Sequence, residues 1–391
     1  MNRRRIPGGL AVLLGAAFLV APAPQQTDAP AYKTSYRVIN VHLHWGDPDA
    51  DAVRAQIEVM DQAGVVAAVN LDAGRSDGTL PGWMELEKKY PGRFVNFAKF
   101  TAKDFERIRE PAFFENLVHE LERSAKLGIH GVKMWKDLGM VIRDASGALL
   151  KIDDPRLDPF WDKCGDLGLP VLIHSADPKD YWEPLTYNSL HYGTRTEQQQ
   201  FTNVPGMPRW EELIEQRDNV LKKHPKTTFI GAHFGSMTFD LQGLAERLDR
   251  FPNFHAECAA RLRILGRLNP KAVRDFFVKY QDRILFGTDG MVLASRKSKP
   301  GKNIMVYPVD DPEWVKMDTK NDEVVRQWKA GQSRFYALHF EYFETDHREI
   351  EDPMHFEPAW ARLSGAKLPP EVLEKFYHGN AERLIPGLRA K

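Results

Sequence analysis

Val38-Ile39-Asn40-Val41-His42-Leu43-His44-Trp45 decides how the rest of the chain is read. This short, largely apolar and β-branched run predicts a strand, and it ends on two histidines with one residue between them. Side chains two apart in a strand point to the same side, so His42 and His44 can face one axis together. No glycine-rich phosphate loop follows, which removes the usual support for an open, doubly wound nucleotide-binding sheet.

Working outward, seven more runs of this kind follow, at 65–71, 93–100, 131–136, 170–175, 228–235, 253–259 and 284–290. Helix-like stretches separate them, at 48–63, 111–127, 158–167, 209–224, 239–250 and 270–280, and Gly64, Gly128 and Gly168 stand where C′ glycines end helices. Strands alternating with helices predict βα units and a parallel sheet. Several strands are almost wholly apolar, as strands covered on both faces are. Eight strands with eight crossovers point to a (β/α)8 TIM barrel, a single domain over residues 35–391, within the size range such barrels reach.

Two connections are too long for simple turns. Residues 176–209, after the fifth strand, carry Tyr181, Trp182, Tyr187, His191 and Tyr192; residues 291–368 follow the eighth. Both leave the C-terminal ends of strands, where barrel active sites form, and are read as walls or lids of a pocket. Surface decoration or an oligomer contact is the alternative. His191, His339, His347 and His355 lie in these connections and are expected to face solvent.

Residues 1–30 run from Arg3-Arg4-Arg5 through an apolar stretch at 9–20 to Ala21-Pro22-Ala23. That order predicts a secretory signal peptide with a short linker, so the mature chain is expected to be exported, periplasmic or secreted. The apolar stretch is too short for a comfortable membrane span. Lys+Arg and Asp+Glu balance at 54 each with no long single-sign block, which argues against nucleic acid or an anionic membrane surface as partner. Cys164 and Cys258 are too few for a disulfide scaffold and are read as buried thiols.

Cation-binding residue types recur at the C-terminal ends of the predicted strands: His42 and His44, then His174, His233 and Asp289. Imidazole suits zinc and similar metals, and a carboxylate completes such a site while leaving a position for water. One strand-end histidine alone is usually a hydrogen-bonded structural residue. Five polar groups at one end of one barrel would be costly to desolvate without a metal or substrate to satisfy them.

These residues resemble the amidohydrolase superfamily, in particular the amidohydrolase-related group that includes the aminocarboxymuconate-semialdehyde decarboxylase-like proteins. The resemblance is carried by His42-Leu43-His44, by His174 in Val-Leu-Ile-His, by His233 in Gly-Ala-His-Phe-Gly, by Asp289 in Leu-Phe-Gly-Thr-Asp-Gly, and by Gly379-Asn380-Ala381 near the last helix. It covers about residues 38–388. The first strand begins soon after the signal region, which leaves no room there for the flanking β-sandwich of other superfamily members. The resemblance implies one divalent metal, zinc or less often manganese, held by His42, His44, His174 and Asp289. It further implies that His233 is an acid/base partner and that Asp289 takes the proton of the activated water.

Lys133 stands where binuclear relatives carry a carboxylated lysine that bridges two metals. It is read first as an unmodified inward lysine pairing with a substrate anion or with Asp289, second as an outward one, and third as the bridge of a binuclear site. Trp45 and Trp135 are candidates for a pocket floor, with core filling as the alternative. Arg261 is a candidate for binding a substrate carboxylate, with a surface salt bridge as the alternative. Glu257 lies on the seventh strand, facing a side the sequence does not decide. The leading functional expectation is a metal-dependent hydrolase of a small molecule, acting on an ester, amide or lactone-type bond. A non-oxidative decarboxylase of an unsaturated or aromatic acid comes second, and a non-catalytic binding barrel third. Dimerisation is common in the resembled group, so a homodimer is among the expectations.

Overall fold

The structure is a computed structural model and describes residues 32–186, 189, 200–296, 314–316, 318–353 and 362–389. The signal-peptide reading, Tyr187, His191, Tyr192 and His355 lie outside the described residues. The predicted strands form β1 (Val38–His44), β2 (Val65–Asn70), β3 (Phe94–Phe100), β4 (Gly131–Met134), β5 (Val171–Ile173), β6 (Phe229–Gly231), β7 (Phe254–Glu257) and β8 (Ile284–Leu285). Each pairs in parallel with its neighbour in sequence, and a short β9 (Gly290–Met291) pairs in parallel with the free side of β1. Helices α1 (Ala50–Ala63), α2 (Leu80–Lys89), α3 (Phe113–Leu127), α4 (Asp158–Asp166), α5 (Trp210–Lys223), α6 (Leu241–Arg250) and α7 (Pro270–Lys279) separate the eight strands.

The sheet curls because its last strand is shared. Ile284 and Leu285 register with Ala256 and Glu257 of β7, whereas Gly290 and Met291 register with Leu43 and His44 of β1. Between those pieces Val41 N–H donates to the Phe286 carbonyl at 2.9 Å and Asp289 N–H to the His42 carbonyl at 3.0 Å. The arrangement is consistent with a TIM-type barrel. Asn380, from the C-terminal Gly-Asn-Ala, donates to the carbonyls of Gln281 and Ile284 at 2.7 and 2.8 Å and fixes the start of β8.

Apolar residues separate into two clusters. The smaller takes one face of the sheet, with Ile39, Val41, Val69, Phe97, Leu172, Ile230 and Leu285, and adds Ile385 and Leu388 from the C-terminus. The larger lies between the other face and the helices, and Val38, Leu43 and Trp45 belong to it. Simple alternation would therefore put His42 and His44 opposite Ile39 and Val41. It does not, because the β1–β2 register shifts between Asn40 and Leu43. Such an irregularity re-aims the side chains beyond it. Asn40 thus points outward while His42 and His44 turn inward.

The helices form for local reasons as well. The Asp49 carboxylate caps α1 by accepting from the N–H groups of Asp51 and Ala52, and Gly64 ends it at φ 80°, where a Cβ would be strained. The segment read as one long connection after the eighth strand holds α8 (Asp322–Glu344), a helix of 23 residues. That corrects the expectation for His339, which is 1% exposed in α8 and donates from Nδ1 to the Phe335 carbonyl at 2.7 Å; His347 is exposed as expected. Cys164 and Cys258 are both free and buried, and burial raises both thiol pKa values. Among the described residues no helix is long and apolar enough to cross a membrane.

Candidate active site

His42 and His44 meet at their Nε2 atoms, 3.3 Å apart. Their other nitrogens are committed. His42 Nδ1 lies 2.9 Å from Glu257 Oε1, and His44 Nδ1 lies 3.1 Å from both oxygens of Asp72. A carboxylate only accepts, so each Nδ1 carries the proton, and in the neutral ring each Nε2 presents a lone pair. Carboxylates placed behind imidazoles in this way fix the tautomer and raise the basicity of the outward nitrogen.

Asp289 closes the group. Its Oδ1 lies 3.2 Å from His42 Nε2 and 3.1 Å from His44 Nε2, and its side chain keeps 27% of its surface open to solvent. Three acceptor atoms in mutual contact repel unless a proton or a cation lies among them. Four ligand atoms placed tetrahedrally about 2.0–2.1 Å from a zinc ion stand about 3.3 Å from one another. The observed 3.1–3.3 Å separations fit that spacing. His42, Asp289 and His233 also bring one ligand atom each within 4.8 Å. The donor set therefore suits a divalent cation. The charges agree: although burial opposes ionisation of Asp289, its histidine neighbours hold the carboxyl well below the usual range. Burial likewise opposes protonation of His44, but Asp72 and Asp289 outweigh it and raise its pKa.

His233 does not sit on a strand, as the run 228–235 had predicted. β6 stops at Gly231, and His233, Phe234, Gly235 and Ser236 take φ values of 57, 59, 57 and 63°. Left-handed backbone costs a residue with a Cβ about 1–2 kcal/mol, and three of these four carry one. Strain of this kind persists only where surrounding structure holds it, and it clusters at functional sites. Here the His233 N–H donates to Glu257 Oε1 at 2.8 Å, the buried Arg217 guanidinium donates to the Gly235 carbonyl at 2.6 Å, and the Ser236 hydroxyl donates to the Ala176 carbonyl. The His233 Nδ1–H donates to the Ala259 carbonyl at 2.8 Å, leaving Nε2 unprotonated. Its ring lies 5.0 Å from that of His42 and 4.5 Å from that of His174. Burial first, and Arg261 second, push its pKa well below the ordinary value.

His174 follows β5 and is brought to His233, with its Nε2 3.7 Å from Asp177 Oδ1. Among the described residues that Nε2 has no hydrogen-bond partner, although it is buried. Burial and the neighbouring His233 lower its pKa well below the ordinary value, so it too is a neutral donor of a lone pair.

Around these groups stand cations. Lys133 is fully buried on β4, its Nζ 5.5 Å from the centre of the Trp135 ring and, among the described residues, without a hydrogen bond. Burial lowers its pKa to about 8, against the opposing pull of Glu257 and Asp289. Lys99 Nζ lies 4.8 Å from the same ring and pairs with Asp72. Arg261 is buried near His174 and His233 and donates from Nη1 to the Ala260 carbonyl at 2.9 Å. Trp135, partly exposed, lies 5.3 Å from His44 and 6.2 Å from His174. Trp45 is corrected: one residue past His44 it points the other way, packs 5.0 Å from Phe94 and 5.9 Å from Trp83, and is 2% exposed. It belongs to the helix layer, not to the pocket.

Four partners went unassigned in the sequence. Glu257 faces inward and accepts from His42, His233 and Ala259 together. Asp72 lies just past β2, its N–H bonded to Asn70 Oδ1 at 2.9 Å, and holds His44. Lys99 pairs with Asp72, and Asp177 takes Lys136 Nζ on both oxygens at 2.7 Å. The available signal was position, since Asp72 and Asp177 follow strands at the end that carries the histidines.

A family model described as Amidohydrolase, the second amidohydrolase model, matches residues 39–387. No curated protein matches the chain in sequence. Among solved structures, an amidohydrolase from Mycobacterium avium subsp. paratuberculosis K-10 is similar at 12% identity, covering 90% of this chain and 100% of its own, with a TM-score of 0.45. An amidohydrolase from Burkholderia multivorans with bound hepes is similar at 11% identity, covering 89% of this chain and 98% of its own, with a TM-score of 0.41. One from Pseudomonas aeruginosa is similar at 12% identity, covering 89% and 95%, with a TM-score of 0.37.

Proposed function

The chain belongs to the amidohydrolase family, and from that premise we propose that it is a metal-dependent hydrolase acting on an ester, amide or lactone-type bond of a small molecule. The observation that carries this reading is the approach of His42 Nε2, His44 Nε2 and Asp289 Oδ1 to within 3.1–3.3 Å of one another. His42, His44, His174 and Asp289 are assigned as ligands of one divalent ion, zinc before manganese. When bound, that ion polarises the substrate oxygen and brings the pKa of a water toward neutrality.

The chain's own groups supply the proton movements. Asp289, anionic at neutral pH, accepts a proton from the attacking water at Oδ2, the oxygen not facing the two imidazoles, and returns it to the leaving group. His233, neutral and with Nδ1–H tied to Ala259, accepts a hydrogen bond at Nε2 and so orients the water. Glu257 and Asp72 keep the two imidazoles of β1 in the tautomer that faces the site. Lys133 and Arg261 are assigned to an anionic group on the substrate, and Trp135 to its apolar face. The chain is read as a closed (β/α)8 barrel, supported by the bonds that tie residues 286–289 to β1. Residues 1–30 are read as an export signal, which N-terminal sequencing of the protein from an exporting host tests.

The decisive experiment pairs elemental analysis with a substrate panel. Purified protein should carry about one equivalent of a divalent metal and release acid from esters, amides or lactones. The Asp289→Asn variant should lose turnover, and undiminished activity would remove this mechanism. Release of CO2 from unsaturated or aromatic acids, without hydrolysis of the panel, would move the assignment to non-oxidative decarboxylation.

A further inference from the structure

Asn40 is fully buried two residues before His42, on the face of β1 that looks toward α8. Its carboxamide makes four hydrogen bonds, the full number the group can make. Oδ1 accepts from the N–H of His42 at 3.1 Å and from the N–H of Thr288 at 3.2 Å. Nδ2 donates to Thr288 Oγ1 at 2.7 Å and to the Tyr336 hydroxyl at 2.9 Å. Thr288 Oγ1 also accepts from the N–H of Gly290 at 3.3 Å. The Asn40 side chain therefore ties the backbone of His42 to Thr288 on one side of Asp289, and the Thr288 hydroxyl in turn holds Gly290 on the other.

Those bonds fall where the sheet supplies few of its own. β8 ends at Leu285 and β9 begins at Gly290, so Asp289 lies in the gap between them. Its φ of 62° is left-handed, a conformation that costs a residue with a Cβ about 1–2 kcal/mol. Its own N–H bonds the His42 carbonyl at 3.0 Å. Without a brace on Thr288, relaxation of that strain would carry the carboxylate away from the imidazoles.

We propose that Asn40 is a positioning residue whose carboxamide braces the seam so that His42 and Asp289 present their ligand atoms 3.2 Å apart, and that it thereby sets the affinity of the site for a divalent cation. The assignment rests on the metal-binding reading above. Asn40 acts through the backbone of both partners and touches neither substrate nor metal. A residue that only stabilised the fold would lower the melting temperature of the metal-free protein and leave the cation affinity of the folded protein unchanged.

The test strips the full-length protein of metal, titrates it with Zn2+ against a chromophoric chelator, and melts each metal-free protein. Asn40→Ala and Thr288→Val, which removes the hydroxyl at nearly constant shape, should each weaken Zn2+ binding by about ten- to a hundredfold, the range for partners just outside a metal's ligands. Thr288→Ser keeps the hydroxyl and should stay within about threefold of the parent. Wild-type affinity in folded Asn40→Ala, whatever its melting temperature, overturns the proposal while leaving the metal reading intact; wild-type affinity in Thr288→Val alone overturns the part assigned to its hydroxyl. Failure of the parent protein itself to bind Zn2+ removes the metal reading and this assignment together.

Discussion

Glu257 Oε1 is shared between His42 Nδ1 at 2.9 Å and the backbone N–H of His233 at 2.8 Å, so one carboxylate oxygen orients a residue of β1 and starts the turn that carries the second histidine. Its other oxygen accepts from the Ala259 N–H at 2.6 Å. Glu257→Gln keeps the shape but turns an acceptor into a donor at one of these positions. Either Ala259 N–H then meets an NH2 group, or the NH2 group faces His233 N–H and His42 must change tautomer. Metal affinity and kcat should each fall by about ten- to a hundredfold, measured by chelator competition and by turnover at saturating metal. Unchanged affinity would mean that the carboxylate is only a core acceptor.

The left-handed turn at 233–236 offers a second test. A Cβ at Gly235 would stand 2.9 Å from both Arg217 Nη1 and Phe254 Cζ, at a φ of 57°. Gly235→Ala should therefore destabilise the fold by about 1–3 kcal/mol, through backbone strain together with the clash. Denaturant unfolding measures it. Because Arg217 grips the Gly235 carbonyl, kcat should fall in the same variant by more than the unfolded fraction accounts for.

Much of the frame was legible because apolar strands and their polar ends follow simple rules. The Val-Leu-Ile-His and Phe-Gly-Thr-Asp runs placed His174 and Asp289 at one end of the sheet, whereas Trp45, read as a candidate pocket floor, packs instead against Phe94 and Trp83. What stayed hidden depended on contacts between distant segments. The register shift between Asn40 and Leu43 is a property of the β1–β2 pair, and nothing in Ile-Asn-Val-His announces it. The run through Gly231 and His233 reads as a straight strand, since neither Arg217 nor Glu257 is near it in sequence. α8 was missed because Tyr336, Leu338, Phe340 and Tyr342 are all buried, which blurs the polar face that marks a surface helix.

Two histidines outside the site make stability depend on pH. Burial lowers His255 to about 3 and His339 to about 4 from the ordinary 6.5. The unfolded chain then binds protons that the folded chain does not, so the folded state loses stability as pH falls below about 6.5 and goes on losing it down to the folded values. By pH 5 the loss reaches on the order of 2 kcal/mol for each. Chemical denaturation at pH 7.5 and 5 should show the fall, and His339→Gln should reduce its slope by removing one of the two groups. An equal slope in the variant would show that carboxylates alone carry the acid sensitivity.

Lys133 is the residue that separates the proposed one-ion site from a two-ion alternative. Its ammonium is buried, lies over Trp135, and burial lowers its pKa to about 8, so that about a tenth of it is neutral at pH 7. Neutral amine is the form that a bridging carbamate needs, whereas the charged form is the one that grips a substrate anion. Lys133→Met separates these roles. In the assignment favoured above, metal content stays at about one equivalent and KM for an anionic substrate rises by about tenfold or more, as expected when a buried charged partner worth about 1.5–3 kcal/mol is removed. A parent protein with two equivalents that falls to one in the variant would instead make Lys133 the bridge and turn His233 into a ligand of the second ion.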